Sequence, residues 1–284
     1  MQADMIGILG GSGLYSMADL QDQRWQRVET PYGDPSDELL HGRLNGLEVV
    51  FLPRHGRNHR LLPSEINYRA NIFALKSVGV RRLVSISAVG SLREAIAPGH
   101  LVVVDQFVDR TRGRQSTFFG EGAVGHVSLA DPVCGDLARH LADAVEGAGG
   151  VVHRGGTYLG MEGPQFSTKA ESQLYRSWGM DVIGMTNVTE AKLAREAGLC
   201  YATLAMSTDY DCWHEEVDAV EATEILAVLH ANVDLAQRVV KGLVRESLLE
   251  RQCHCAQACA TALLTPRAAI PPERLAALSI LLEP

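Results

Sequence analysis

The sequence predicts an α/β protein, a single domain with a central mixed, mostly parallel twisted β-sheet flanked by helices. Three observations lead there. Short runs that are apolar throughout recur along the chain, segments with helical spacing separate them, and no shift in composition divides the 284 residues into two units. Residues 1–250 form the body of the expected domain. Residues 251–284 are read as a C-terminal extension of it, with a cysteine-rich stretch, a proline-rich connector and a final helix.

The expected strands are MIGIL at 5–9, LEVVFL at 47–52, RLVSIS at 82–87, LVVV at 101–104 and CYATLAM at 200–206. Each is short and closed by polar or glycine-rich residues, the pattern of strands buried on both faces. A helix is expected in SEINYRANIFALKSVG, starting after Pro63-Ser64 and stopped by Gly79, with Ile66, Ala70, Phe73, Ala74 and Leu75 near helical spacing. NVTEAKLAREAG offers Asn187 as N-cap, Glu190 three residues on and Gly198 as the stop. Residues 221–250 read as one long amphipathic helix. TPRAAIPPE reads as an extended connector and RLAALSILL as the last helix.

Composition narrows the function. With 34 acidic against 26 basic residues the net charge is −8, so no cationic field exists to hold a nucleic-acid backbone. No apolar run approaches the ~20 residues of a membrane helix, and MQADMIGILGGSGLY lacks the pattern of a signal peptide. A cytoplasmic protein without nucleic-acid or membrane partners is the expectation. Cys134, Cys200 and Cys212 lie scattered in apolar contexts that suit reduced, packed thiols. Cys253, Cys255 and Cys259 cluster in CHCAQAC. Cys253, His254 and Cys255 have ligand chemistry, yet no second pair stands at zinc-like spacing, so no closed metal site is expected. A redox-sensitive pair stays open, and exposed thiols on a helix are the favoured reading.

Four strand ends carry residues suited to binding. GGSGLY after the first strand is either a tight turn or an anion-binding turn, with Ser12 as a hydroxyl donor. LPRHGRNHR after the second places Arg54, a planar fork for two phosphate oxygens, beside His55, a donor able to carry a proton near neutral pH. SISAVGSLRE adds Ser87 and the amides of Ala88 to Gly90. MSTDYDCW closes an apolar run with Asp209 and Asp211. Phe166 after a Gly-Pro turn can stack on a flat ring or fill a core, and Met185 at a strand end is more often core than ligand contact.

GILGGSGLY, RHGRNH, INYRANIFALK, SAVGSLREAIAPGHLVVVDQFVDRT, EGPQFSTKAES, DVIGMT and AKLAREAGLCYATLAMSTDYDCW together resemble the 5′-methylthioadenosine phosphorylases of the trimeric purine nucleoside phosphorylase family, over residues 5–245 and again in LSILLEP. The resemblance implies a nucleoside phosphorylase fold, a homotrimer and phosphorolysis of 5′-methylthioadenosine, with inorganic phosphate as co-substrate and neither metal nor organic cofactor. Ser12, Arg54, His55, Ser87, Ala88 and Thr186 are then expected at phosphate and Met185 at the ribose. Phe166, Ser167, Asp209 and Asp211 are expected at the base, with Asp209 as proton donor. His126, reaching from a neighbouring subunit, and Ala222, Leu226 and Leu281 are expected at the methylthio group. Ser12 and Ser87 stand where threonine also occurs in the family, and Thr189 where many members carry proline. A 6-oxopurine phosphorylase is the nearest alternative, disfavoured because such a specialist would carry an amide in place of the acids. A hydrolytic nucleosidase is disfavoured by the anion-binding set, and a catalytically silent nucleoside-binding subunit by the intact candidate positions.

Overall fold

The computed structural model describes residues 5–214 and 222–282, without the side chains of Ser12 and of most residues from 222 to 229. The first half runs β1 (Met5–Gly10), β2 (Gln21–Gln26), β3 (Leu39–Leu44), β4 (Leu47–Pro53), α1 (Tyr68–Ser77), β5 (Val80–Ser91), β6 (Leu101–Val104) and β7 (Gln106–Asp109). The second half runs α2 (Gly135–Gly147), β8 (Val152–Arg154), β9 (Thr157–Gly160), α3 (Lys169–Ser177), β10 (Val182–Gly184), α4 (Asn187–Glu196), β11 (Cys200–Asp209), α5 (Ala222–Leu243) and α6 (Pro272–Leu282).

Among the described residues all eleven strands join one sheet, and six of its ten pairings are parallel. Helices cover both faces, and side-chain alternation sorts the core. Ile6, Ile8, Val84, Ile86, Ala202 and Leu204 point to α2 and α5. Met5, Leu9, Leu83 and Tyr201 point to α1, α4 and α6. Burying each such side chain stabilises the fold by about 1.5–3 kcal/mol before entropy is charged against it.

The expected strands all form, and the longest sets up the site. β5 lies parallel between β1 and β11, but β1 pairs with it only as far as Leu9 opposite Ser85. On that same side β10 begins at Gly90 and Ser91, running antiparallel. Between the two, β5 has no strand partner on one edge, which opens a crevice at the carboxyl ends of the parallel strands.

Element boundaries depart from the sequence reading where a side chain takes over a cap. α1 starts at Tyr68 rather than after Ser64, because Asn67 accepts a hydrogen bond from the amide of Ala70. The N-cap of α4 is Thr186 and Asn187 is its first helical residue; the Asn187 side chain is committed elsewhere. α5 ends at Leu243, where Asn45 donates to the carbonyls of Lys241 and Val244, and a short 3-10 turn at Glu246–Leu248 follows. The cysteine-rich stretch is no exposed helix: Cys255 and Cys259 are buried, and a three-residue turn, Cys255–Gln257, lies between them. Among the described residues no helix is long and apolar enough to cross a membrane.

Tyr158 threads this core, and its hydroxyl abuts Gly184, where an added Cβ would overlap it. Gly184→Ala is therefore expected to destabilise the fold by about 1–3 kcal/mol, read as a lowered midpoint in equilibrium urea unfolding at unchanged slope.

Candidate active site

Sheet register brings the anion-binding candidates together. Gly10 pairs with Pro53, so the turn carrying Ser12 and the residue Arg54 leave adjacent strands at one level, beside Ser87 and Ala88 on β5. The amide of Arg54 donates to the Gly10 carbonyl at 2.9 Å. Ser12 opens a 3-10 turn, Ser12–Tyr15, held from α5 by Gln237, which donates to the Gly13 carbonyl at 2.6 Å. Thr186 caps α4 next to Met185, so the positive end of a ten-residue helix faces the same crevice.

A buried polar network supports these groups from below. Arg54 is 3% exposed and Glu190 is 1% exposed, and they meet at 2.5 Å. Arg54 also donates to the carbonyls of Ile86 and Leu9 and to Ser85, and Glu190 accepts from the hydroxyls of Ser85 and Tyr201. Arg54 therefore does not offer its fork to two phosphate oxygens, as the sequence suggested: the fork grips Glu190. Asn187 completes the network. Its amide nitrogen donates to Ser85 and Thr203, and its oxygen accepts from Ser87 at 2.7 Å and from Thr186 at 3.3 Å.

His55 also differs from the reading as a proton carrier near neutral pH. Its Nδ1 lies 2.8 Å from the Leu61 carbonyl, which can only accept, so Nδ1 carries the hydrogen and Nε2 is left as an acceptor. Burial, with smaller contributions from the charge of Arg54 and from His59, pushes its pKa down to about 4, against the Leu61 hydrogen bond, so the ring is neutral at pH 7.

Along β11 the chain passes from core to carboxylates. Asp209 pairs with Gly90, the residue where β10 takes over, so the acids flank the far end of the crevice. Asp209 accepts from the Thr208 hydroxyl and the Asp211 amide, both at 2.7 Å. Asp211 has φ 51° and its Oδ2 is buried without a completed hydrogen bond. Burial, reinforced by the charge of Asp209, raises its pKa, and the nearby hydroxyls of Ser172 and Ser167 oppose this. Ser167 precedes α3, whose start is fixed by a Thr168/Glu171 capping box. Phe166 stands 82% exposed. Met185 packs on Gly163, where a Cβ would meet its sulfur at 2.5 Å.

This arrangement joins hydroxyl donors and a helix N-terminus at one end to paired carboxyl groups at the other. The phosphorylase superfamily model matches residues 5–245. The S-methyl-5′-thioadenosine phosphorylase of Geobacter sulfurreducens is 58% identical over 95% of this chain and 94% of its own, and that of Koribacter versatilis is 58% identical over 95% and 92%. The chain belongs to this phosphorylase family. It is a pentosyltransferase. A methylthioadenosine phosphorylase structure from an antarctic soil metagenomic library superposes with TM-score 0.95 at 50% identity over 99% of both chains. The Schistosoma mansoni enzyme in complex with adenine gives 0.85 at 34% identity, over 91% of this chain and 99% of that one.

Within one chain of the phosphorylase, Leu281 and His126, two of the residues expected at the methylthio group, do not join this crevice. Leu281 is 2% exposed, packed in the core beside α1 and α4. His126 is exposed and lines a separate groove of about 470 Å³ with Val124, Leu129 and Lys192. Ala222 and Leu226 lie in α5, but their side chains are outside the described residues. Sequence reasoning missed the supporting shell: Ser85, Asn187, Glu190, Tyr201 and Thr203. It also missed Arg114, which pairs with Glu162 at 3.1 Å and donates to the Met185 carbonyl. One signal was present, since Ser85, Tyr201 and Thr203 occupy alternate positions of runs otherwise read as uniformly apolar.

Two outcomes follow from this electrostatics. Glu190→Ala leaves Arg54 charged and unpaired in the core and is expected to cost about 3–5 kcal/mol, measured by equilibrium unfolding; an unshifted midpoint would mean that water reaches the guanidinium. For His55 the ordinary pKa of 6.5 falls to about 4 on folding, so its contribution is intact above about 6.5 and is lost as pH drops toward about 4. In phosphate-free buffer, His55→Gln is therefore expected to flatten the decline of Tm across that window.

Proposed function

We propose that this phosphorylase cleaves S-methyl-5′-thioadenosine with inorganic phosphate, giving adenine and 5-methylthioribose 1-phosphate in purine and methionine salvage. The observation that carries the reading is the two-sided crevice on β5, with Ser87 and Ala88 at one end and Gly90 against Asp209 at the other. The activity for which relatives matched over almost the whole chain are named supports the same substrate.

Phosphate is bound by Ser12, His55, Ser87, the Ala88 amide and Thr186, with Arg54 contributing its charge from below and any N–H left over from its partners. Because Nε2 of His55 is an acceptor, it accepts a hydrogen bond from a P–OH group. A phosphate oxygen then bonds to the anomeric carbon while the bond from that carbon to the purine nitrogen breaks, and the bonding pair leaves with the base. Positive charge on the sugar is offset by the phosphate anion. Met185 lies along the ribose, and Phe166 and Ser167 border the base.

The departing purine needs a proton at N7. Asp209 delivers it, and Asp211, whose pKa burial raises, lies beside it and donates its amide to the Asp209 carboxyl group. The exocyclic amine of adenine donates to the carboxylate that remains, whereas a 6-oxo group would present an acceptor to an acceptor. The active assembly is a homotrimer in which His126 reaches the methylthio group of a neighbouring chain, which accords with its exposure and its absence from this chain's crevice. No cofactor enters these steps.

Release of adenine is expected to require phosphate, assayed by chromatography with S-methyl-5′-thioadenosine and the 6-oxo analogue in parallel; release that is independent of phosphate would sink the reading. Asp209→Asn is expected to lower turnover of the 6-amino substrate by about 10²–10⁴-fold and that of the 6-oxo analogue far less. A larger loss in Asp211→Asn would transfer the proton-donor role to Asp211.

A further inference from the structure

Four of the six cysteines come from three distant parts of the chain and meet at one point. Cys134 caps α2, Cys200 opens β11, and Cys253 and Cys255 flank His254 in the C-terminal extension. Their four Sγ atoms all lie within 4.8 Å of one another. Cys200 is fully buried, Cys134 and Cys255 nearly so, and Cys253 half-buried. The sequence supplied only the second pair; the partner pair was hidden because folding, not spacing, brings Cys134 and Cys200 together.

We propose that these four thiols form a closed tetrathiolate site for a zinc ion, separate from the phosphorolysis crevice. Zn–S bonds of about 2.3 Å in a tetrahedron put sulfurs about 3.8 Å apart, and the observed cluster brackets that distance, with Cys200 and Cys253 at 3.3 Å. A disulfide requires about 2.0 Å, and all six cysteines are free. Four mutually facing thiols in an apolar pocket have mainly one another as acceptors for their S–H groups, a weak arrangement for buried polar groups. A dication converts them to ligands: Zn²⁺ and four R–SH give [Zn(SR)₄]²⁻ and four protons.

The surroundings suit that charge. The Leu137 amide, in the first turn of α2, donates to Cys134 Sγ at 3.5 Å, and Arg195 Nη1 stands 4.0 Å from Cys255 Sγ. With four protein ligands the site has no open position, so its role is structural: it ties residues 253–255 to the starts of α2 and β11. Cys259 stands apart, its thiol donating to the Glu196 carbonyl.

The test is metal analysis of the full-length protein purified under reductant without added metal, followed by Co²⁺ titration of chelator-treated protein. About one zinc per chain is expected, with a sulfur-to-cobalt charge-transfer band and tetrahedral visible bands on Co²⁺ binding. Cys134→Ser and Cys255→Ser are expected to lose most of the bound zinc, whereas Cys259→Ser keeps it. If those variants do not fold, the cobalt spectrum of the unaltered protein decides. Absence of both zinc and the cobalt band overturns the proposal. So does mass spectrometry of alkylated protein in which these cysteines are joined in disulfides.

Discussion

The buried pairing of Arg54 with Glu190 is the constraint on which the site's geometry rests. It joins the end of β4 to the first turn of α4, and the same two side chains hold Ser85, Tyr201 and the carbonyls of β1 and β5. A buried ion pair adds little net stability compared with apolar packing, because desolvation opposes the Coulomb attraction. What it supplies is position. With Glu190 fixed, the N-terminus of α4 can aim only at the carboxyl ends of β1, β4 and β5.

The second organising feature is the unequal length of neighbouring strands. β5 has twelve residues while β1 has six, and β10 adopts the vacated edge in the opposite direction. A sheet that changes direction across one strand leaves a place where backbone groups face solvent instead of a ladder partner. The two chemically distinct ends of the crevice are separated by three residues of a single strand, so their spacing is set by covalent geometry rather than by packing of mobile loops.

Much of this was legible in the sequence. The five buried strands announced themselves by composition, and their polar ends pointed to Ser12, Arg54, Ser87 and Asp209. Residues read by local chemistry alone were misjudged. Asn187 and Glu190 fit a helix start, yet both turn inward, because the strand face opposite α4 carries Ser85, Tyr201 and Thr203. Arg54 looked like a free fork, and only the fold reveals its carboxylate. Short strands such as β8 and β10, three residues each, carry too little pattern to be seen. The cysteines were divided by the same limitation, since sequence distance conceals spatial convergence.

The Asn187 oxygen, which accepts from both Ser87 and Thr186, already engages two hydroxyl donors of the crevice. An anion that engaged these hydroxyls would have to trade places with an amide already bound there. Binding is thus an exchange of acceptors, and its free energy is the difference between a charged guest and a neutral host. A neutral guest gains almost nothing from the trade, while an anion profits from the helix terminus as well.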